Sequence, residues 1–128
     1  MQGFVWHIEE LTLENNFFRK VLFTWPHLQL VVMSLLPGEE IGVEIHDKED
    51  QFIRVEQGHA EAIIDGTSHK LSDDMIIVVP AWAEHNIINT STSETLKLYT
   101  IYCEKHHADG TIHKTKAEAD EAEAHHHH

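Results

Sequence analysis

Residues 37–58, PGEEIGVEIHDKEDQFIRVEQG, decide how this chain is read. Ile41, Val43 and Ile45 alternate with Gly42, Glu44 and His46, so on an extended strand the Glu44 and His46 side chains leave the same face. The loop residues Asp47, Lys48, Glu49 and Asp50 follow, and Gln51 opens a second β-type run over residues 52–55. A carboxylate, an imidazole and an amide are thereby expected at the mouth of one hairpin. The complement lies further along, where Pro80 leads through Trp82 to His85, just ahead of the β-branched pair Ile87 and Ile88. Two imidazoles, one carboxylate and one amide oxygen form a donor set suited to a divalent metal.

These residues resemble the small single-domain bacterial cupins, whose first motif runs Gly, His-x-His, Glu, Gly and whose second runs Gly, Pro-x-Gly, His, Asn. Gly38, Glu44, His46, Gln51 and Gly58 fit the first, and Asp74, Pro80, Trp82, His85 and Asn89 fit the second. The resemblance extends over nearly the whole chain, through the tail GTIHKTKAEA at residues 110–119. Glu44 replaces the first His of the motif and Gln51 its Glu. Asp74 and Trp82 stand at glycine positions, and Met75 stands where Asp is usual. The resemblance implies an all-β fold, the cupin double-stranded β-helix or jelly-roll barrel. It also implies a mononuclear divalent ion (Fe, Mn, Zn, Ni or Cu) on Glu44, His46, Gln51 and His85, and a homodimer.

A length of 128 residues with 41% hydrophobic content bounds one domain with one core, expected over residues 1–124. Nine Lys and Arg against 22 Asp and Glu give a formal net charge of −13. That charge repels nucleic acid and anionic membranes and leaves a small molecule as the expected partner. Cys103 is the single cysteine, so no internal disulfide forms, which suits a reducing compartment. The opening MQGFVWHIEELTLENN carries acids where a signal peptide needs an apolar core. The apolar stretch at residues 28–36 is far short of a membrane span and contains Gln29 and Ser34. A cytoplasmic protein is expected. The histidines at 125–128 read most simply as the visible part of a purification tag and are left out of site reasoning.

Elsewhere the chain reads as short β-runs, at residues 18–24, 28–36, 41–46, 52–55, 60–64, 75–79, 85–89 and 96–102. Pro37-Gly38 and Asp65-Gly66 are turn signals, and polar clusters at 72–74 and 90–94 separate the later strands. Such spacing indicates a sandwich or barrel. Only the tail is expected to be helical. There Thr115 and Glu118 have capping-box spacing ahead of residues 116–124, but the near absence of an apolar face predicts a solvated or frayed appendage.

If Glu44, His46, Gln51 and His85 point inward, alternation puts Ile53, Val55 and Ile87 on the same face as a pocket wall, with Trp82 near the mouth. A bulky Trp82 at a glycine position is expected either to strain the backbone or to narrow the pocket. Val43, Ile45, Phe52 and Ile88 then point outward and, with the run 75–79, call for a covering layer. A second copy of the chain fits that need. Cys103 reads as a small, partly buried residue rather than a nucleophile, and His106, His107 and His113 as solvated loop residues. Three functions follow. The first is a metal-dependent oxygenase, isomerase or decarboxylase, and the second a non-catalytic binding module with the same site. The third is a remodelled scaffold in which Glu44 is a metal-free general base in an aromatic-lined pocket.

Overall fold

The computed structural model describes residues 3–104 and 106–126. A short helix α1 (Ile8–Glu14) leads into β1 (Arg19–Trp25), β2 (Leu28–Leu35), β3 (Asp50–Gln57), β4 (Ala60–Ile64), β5 (Thr67–Leu71), β6 (Ile76–Val79), β7 (His85–Asn89) and β8 (Leu96–Cys103). A two-residue strand β9 (Ile112–His113) and the helix α2 (Lys116–His126) follow. Residues 127 and 128 of the terminal histidines lie outside the described residues.

The strands form two antiparallel sheets, one in the order β6-β3-β8-β2-β1-β9 and one in the order β5-β4-β7. Strand β2 is buried on both faces from Val31 to Leu35, whereas β3 alternates as its sequence dictates. In β3, Gln51, Ile53 and Val55 are buried while Phe52 and Arg54 are half-buried on the other face. One core cluster draws Val31, Met33, Ile53, Val55, Leu96 and Leu98 from the larger sheet and Ala60, Ala62 and Ile87 from the smaller. The all-β expectation holds, with the apolar layer between the sheets.

Residues 41–46 depart from the expected continuous strand. They join β7 only through bridges at Glu40–Ile88 and Glu44–His85. The cause is Gly42, whose φ of +106° lies outside the strand region and whose N–H donates to the Asn86 side chain at 2.9 Å instead of to a ladder carbonyl. Beyond this break the ladder resumes, and Glu44 and His85 each donate an N–H to the other's carbonyl at 2.9 Å. A pair that exchanges both bonds is directly opposite, so the two side chains stand side by side on one face. Gly58 is required for a different reason. Its φ is +113°, and a Cβ there would meet Leu96 Cα at 3.1 Å and the Thr95 carbonyl at 3.2 Å.

Helix α1, β5 and β9 are additions to the sequence reading. No side chain caps α1 at His7, and the helix is held instead where the chain leaves it: Lys97 on β8 donates to Asn15 O at 2.5 Å and to Asn16 Oδ1 at 3.0 Å. It therefore covers one end of the larger sheet's outer face. Tail helix α2 has the reciprocal cap expected of it, with Glu118 N–H donating to Thr115 Oγ1 and Thr115 N–H to Glu118 Oε2, both at 3.1 Å. The tail is solvated along most of its length, as expected, but it is docked at one point: Ala119 is buried where α2 lies against the edge strand β9. No helix among the described residues is long and apolar enough to cross a membrane.

Candidate metal centre

Three carboxylate and imidazole groups converge where residues 44–46 meet the loop after β8. The ligand atoms of Glu44, His46 and His106 lie within 4.8 Å of one another. His46 Nε2 is 3.5 Å and His106 Nε2 is 3.8 Å from the same Glu44 oxygen, Oε2. Donors about 2.1 Å from one ion stand roughly 3 to 4.2 Å apart, so both separations fit a common cation. Glu49 lies behind the two rings, 4.0 Å from His46 Nδ1 and 3.5 Å from His106 Nδ1. The rings are thus held between two carboxylates with both Nε2 atoms toward Glu44, the way an outer carboxylate orients a metal-binding imidazole.

His85 stands beside this group, its ring 4.9 Å from that of His46. Its Nδ1 lies 3.0 Å from the Ala83 carbonyl, which can only accept, so Nδ1 carries the proton and Nε2 offers a lone pair. Gln51 is buried and its Nε2 donates to Thr100 Oγ1 at 2.9 Å, leaving Oε1 buried without a partner. His46 Nε2 is a second buried atom with no hydrogen bond. Native interiors rarely leave such atoms unsatisfied, and a cation held with Glu44 and His106 would satisfy His46 Nε2.

The electrostatics agree. Burial is the main cause that pushes the Glu44 carboxyl up from 4.5 to about 7, only partly countered by the Arg19 guanidinium. Burial, then the neighbouring imidazoles of His106 and His85, pulls His46 down from 6.5 to about 4. Burial thus holds His46, and in the same direction His106, toward the neutral form that can donate, while the carboxylate lacks a compensating positive charge. The donor set fits a divalent ion, with Glu44, His46 and His106 at its centre and His85 and Gln51 at its edge.

His106 reaches the site because of one buried amide. Gln29 on β2 is fully buried; its Oε1 accepts from the backbone N–H of His106 at 3.2 Å and of His107 at 2.8 Å, and its Nε2 donates to His107 O at 2.8 Å. The loop is pinned by that side chain, and the His106 ring stacks on Tyr102 at 4.8 Å. His106 is thus not a solvated loop residue, a correction whose only sequence signal was a glutamine inside an apolar strand.

The Cupin domain family model matches residues 31–102, more than half of the chain and the segment that carries Glu44, His46, Gln51 and His85. The chain is a cupin. This cupin is 46% identical over 126 residues to the uncharacterised protein YrkC of Bacillus subtilis (strain 168), a match covering 94% of this chain and 67% of that one. It is 47% identical over 114 residues to the uncharacterised protein L612 of Acanthamoeba polyphaga mimivirus, covering 87% and 71%. Among solved structures it is similar to BH2720 of Bacillus halodurans, with a TM-score of 0.91, 41% identity and coverage of 94% and 95%.

The remaining residues singled out in the sequence fall elsewhere in this cupin. Ile53, Val55 and Ile87 belong to the closed core. Trp82 does not wall a pocket: it is 71% exposed. Its N–H donates to His46 O at 2.7 Å, and it occupies the third position of the β-turn that Ala83 N–H closes onto Pro80 O. A φ of +74° there is what a type II turn needs and what glycine would adopt without strain. The backbone-strain alternative is the one found, and the ring is aimed outward by it. Cys103 is exposed at the end of β8 rather than partly buried.

Proposed function

We propose that this cupin binds or acts on a small organic molecule at a mononuclear divalent metal held by Glu44, His46 and His106, with His85 as a fourth donor and Gln51 alongside. The observation that carries the reading is the convergence of a half-buried, charge-deficient carboxylate and two imidazoles held toward the neutral form on one point. Two imidazoles and one carboxylate suit a first-row ion with open positions. Such an ion polarises a ligand oxygen and, when redox-active, opens oxidative chemistry. The chain's own part is to keep both Nε2 atoms bare through Glu49 and to shelter the site from water.

The expected result is about one divalent ion per chain after the terminal histidines are removed, lost when His46 and His106 are both changed to Ala. Elemental analysis of tag-free protein prepared in turn with Mn, Fe, Ni, Cu and Zn decides it, since protein that stays empty with all five rules the reading out. A second reading is favoured by the raised Glu44 carboxyl: Glu44 as a general base without metal. Turnover that survives chelation would select it, and binding without turnover would leave a sensing module.

We further propose a homodimer. Val78, Phe52, Ile101 and Leu30 lie in register across β6, β3, β8 and β2 on the outer face of the larger sheet. Val78 and Ile76 are 58% and 51% exposed. A second copy would cover such a row. Light scattering at micromolar concentration should then give twice the 14.7 kDa chain mass, and a monomer alone would count against it.

A further inference from the structure

A cavity of about 500 Å³ opens beside the metal centre, walled by Arg19 and His113 on one side, Glu44 and His46 on another, and His107 and Glu123 at its margins. Arg19 opens β1 and pairs directly opposite His113 of β9. Its side chain is 93% buried by the 7% relative exposure of the residue. Nη1 donates to His113 Nδ1 at 3.2 Å, the guanidinium carbon stands 5.4 Å from the Phe18 ring centre, and Nε is buried with no hydrogen-bond partner. A guanidinium is always charged, and a neutral imidazole and an aromatic face compensate it only in part.

Arg19 Nε is not the only unsatisfied atom on this wall. His46 Nε2 and His107 Nε2 are likewise buried without partners. His46 Nε2 faces the metal centre, and the other two atoms mark the outline of a polar occupant, because native interiors rarely leave such atoms without a partner. The cation at Nε fixes the sign of its charge. With a divalent ion on the metal centre, Arg19 and the ion carry three positive charges against the three carboxylates of Glu44, Glu49 and Glu123, so added negative charge is welcome only at Arg19 itself and is limited to a single carboxylate.

We propose that Arg19 is the carboxylate-recognition residue of this cavity and that the ligand is a small monocarboxylic acid. This rests on the metal-centre reading for what happens at the other end of the ligand, but Arg19 recognises the carboxylate whether or not an ion is bound. The planar fork of Arg matches a carboxylate, so both charge and geometry contribute.

Calorimetry with glycolate, pyruvate and benzoate against glycolamide, pyruvamide and benzamide tests this on tag-free protein, with metal content measured on the same samples. At least one acid should bind the unaltered protein about 10- to 100-fold more tightly than its amide, the range for a hydrogen bond to a charged group. Arg19→Met should abolish that preference while keeping its metal, and Arg19→Lys should retain part of it. Amides that bind as well as the acids, an unaltered protein that binds none of the acids, or Arg19→Met with its preference intact would each overturn the proposal. The comparison of acid with amide needs no variant, so it stands even if Arg19→Met fails to fold. Protein that never takes up metal yet prefers acids removes the metal reading alone; protein that holds metal yet shows no preference removes this inference alone.

Discussion

Changing Glu44 to Gln is expected to weaken divalent-metal binding about 100-fold or more, one ligand's share of the roughly 10–16 kcal/mol that a four-ligand zinc site supplies. The amide keeps the shape and loses the charge that both Nε2 atoms face. The pH dependence separates this from simple damage. In the metal-free fold the Glu44 carboxyl is pushed up from 4.5 to about 7, so below neutrality an incoming ion must displace its proton. Affinity of the unaltered protein should rise about tenfold per pH unit toward 7 and then flatten. Glu44→Gln should lack that slope, and both proteins should lose affinity near pH 4, where His46 gains its proton. The sign for stability is opposite. A raised carboxyl contributes its full share below its ordinary value of 4.5 and loses it as pH climbs to about 7, so the metal-free fold weakens over the window in which metal binding strengthens. Competition titrations from pH 4 to 8 measure the first trend and denaturant unfolding the second. Glu44→Gln with unaltered affinity at pH 8 would remove Glu44 from the ligand set.

Leu98→Ala is expected to lower folding stability by about 2–5 kcal/mol, through lost burial and the cavity left behind. Leu98 is fully buried on β8, which lies between β3 and β2 in the larger sheet, so neighbours on both sides are already committed to backbone pairing and cannot collapse inward. A fall in Tm of roughly 10–20 °C should accompany it. A loss under about 1 kcal/mol would mean that the core is far looser than its burial indicates.

Strands β3 and β8 were legible because each keeps a period of two. Ile53 and Val55 in the first, and Leu96, Leu98 and Tyr102 in the second, are apolar and inward, and an observer needs no partner strand to see it although Thr100 on the same face is polar. Glu44, His46 and His85 were legible for the same reason, since a two-residue spacing fixes a face. His106 was not. It follows the last long strand in a loop without periodicity, and its place depends on the buried Gln29 amide some 77 residues away in the chain. Arg19 was missed because its significance comes from β9, too short a strand to leave a pattern. Trp82 misled in direction only: its glycine-like position was visible, but whether the ring turns in or out is decided by the turn onto Pro80 and the bond to His46 O. Helix α1 escaped notice because seven residues without a side-chain cap carry little local signal.

The mutual backbone pair between Glu44 and His85 has a bearing on how the protein is made. It joins segments far apart in the chain, and the third ligand, His106, lies later still. Such non-local contacts form late, after the entropy of closing the intervening chain has been met. On a ribosome, Glu44 and His46 emerge well before His85 and His106, and no early fragment contains a complete site. A cation can hold the finished barrel closed, but it finds nothing complete to grip in a chain still being synthesised.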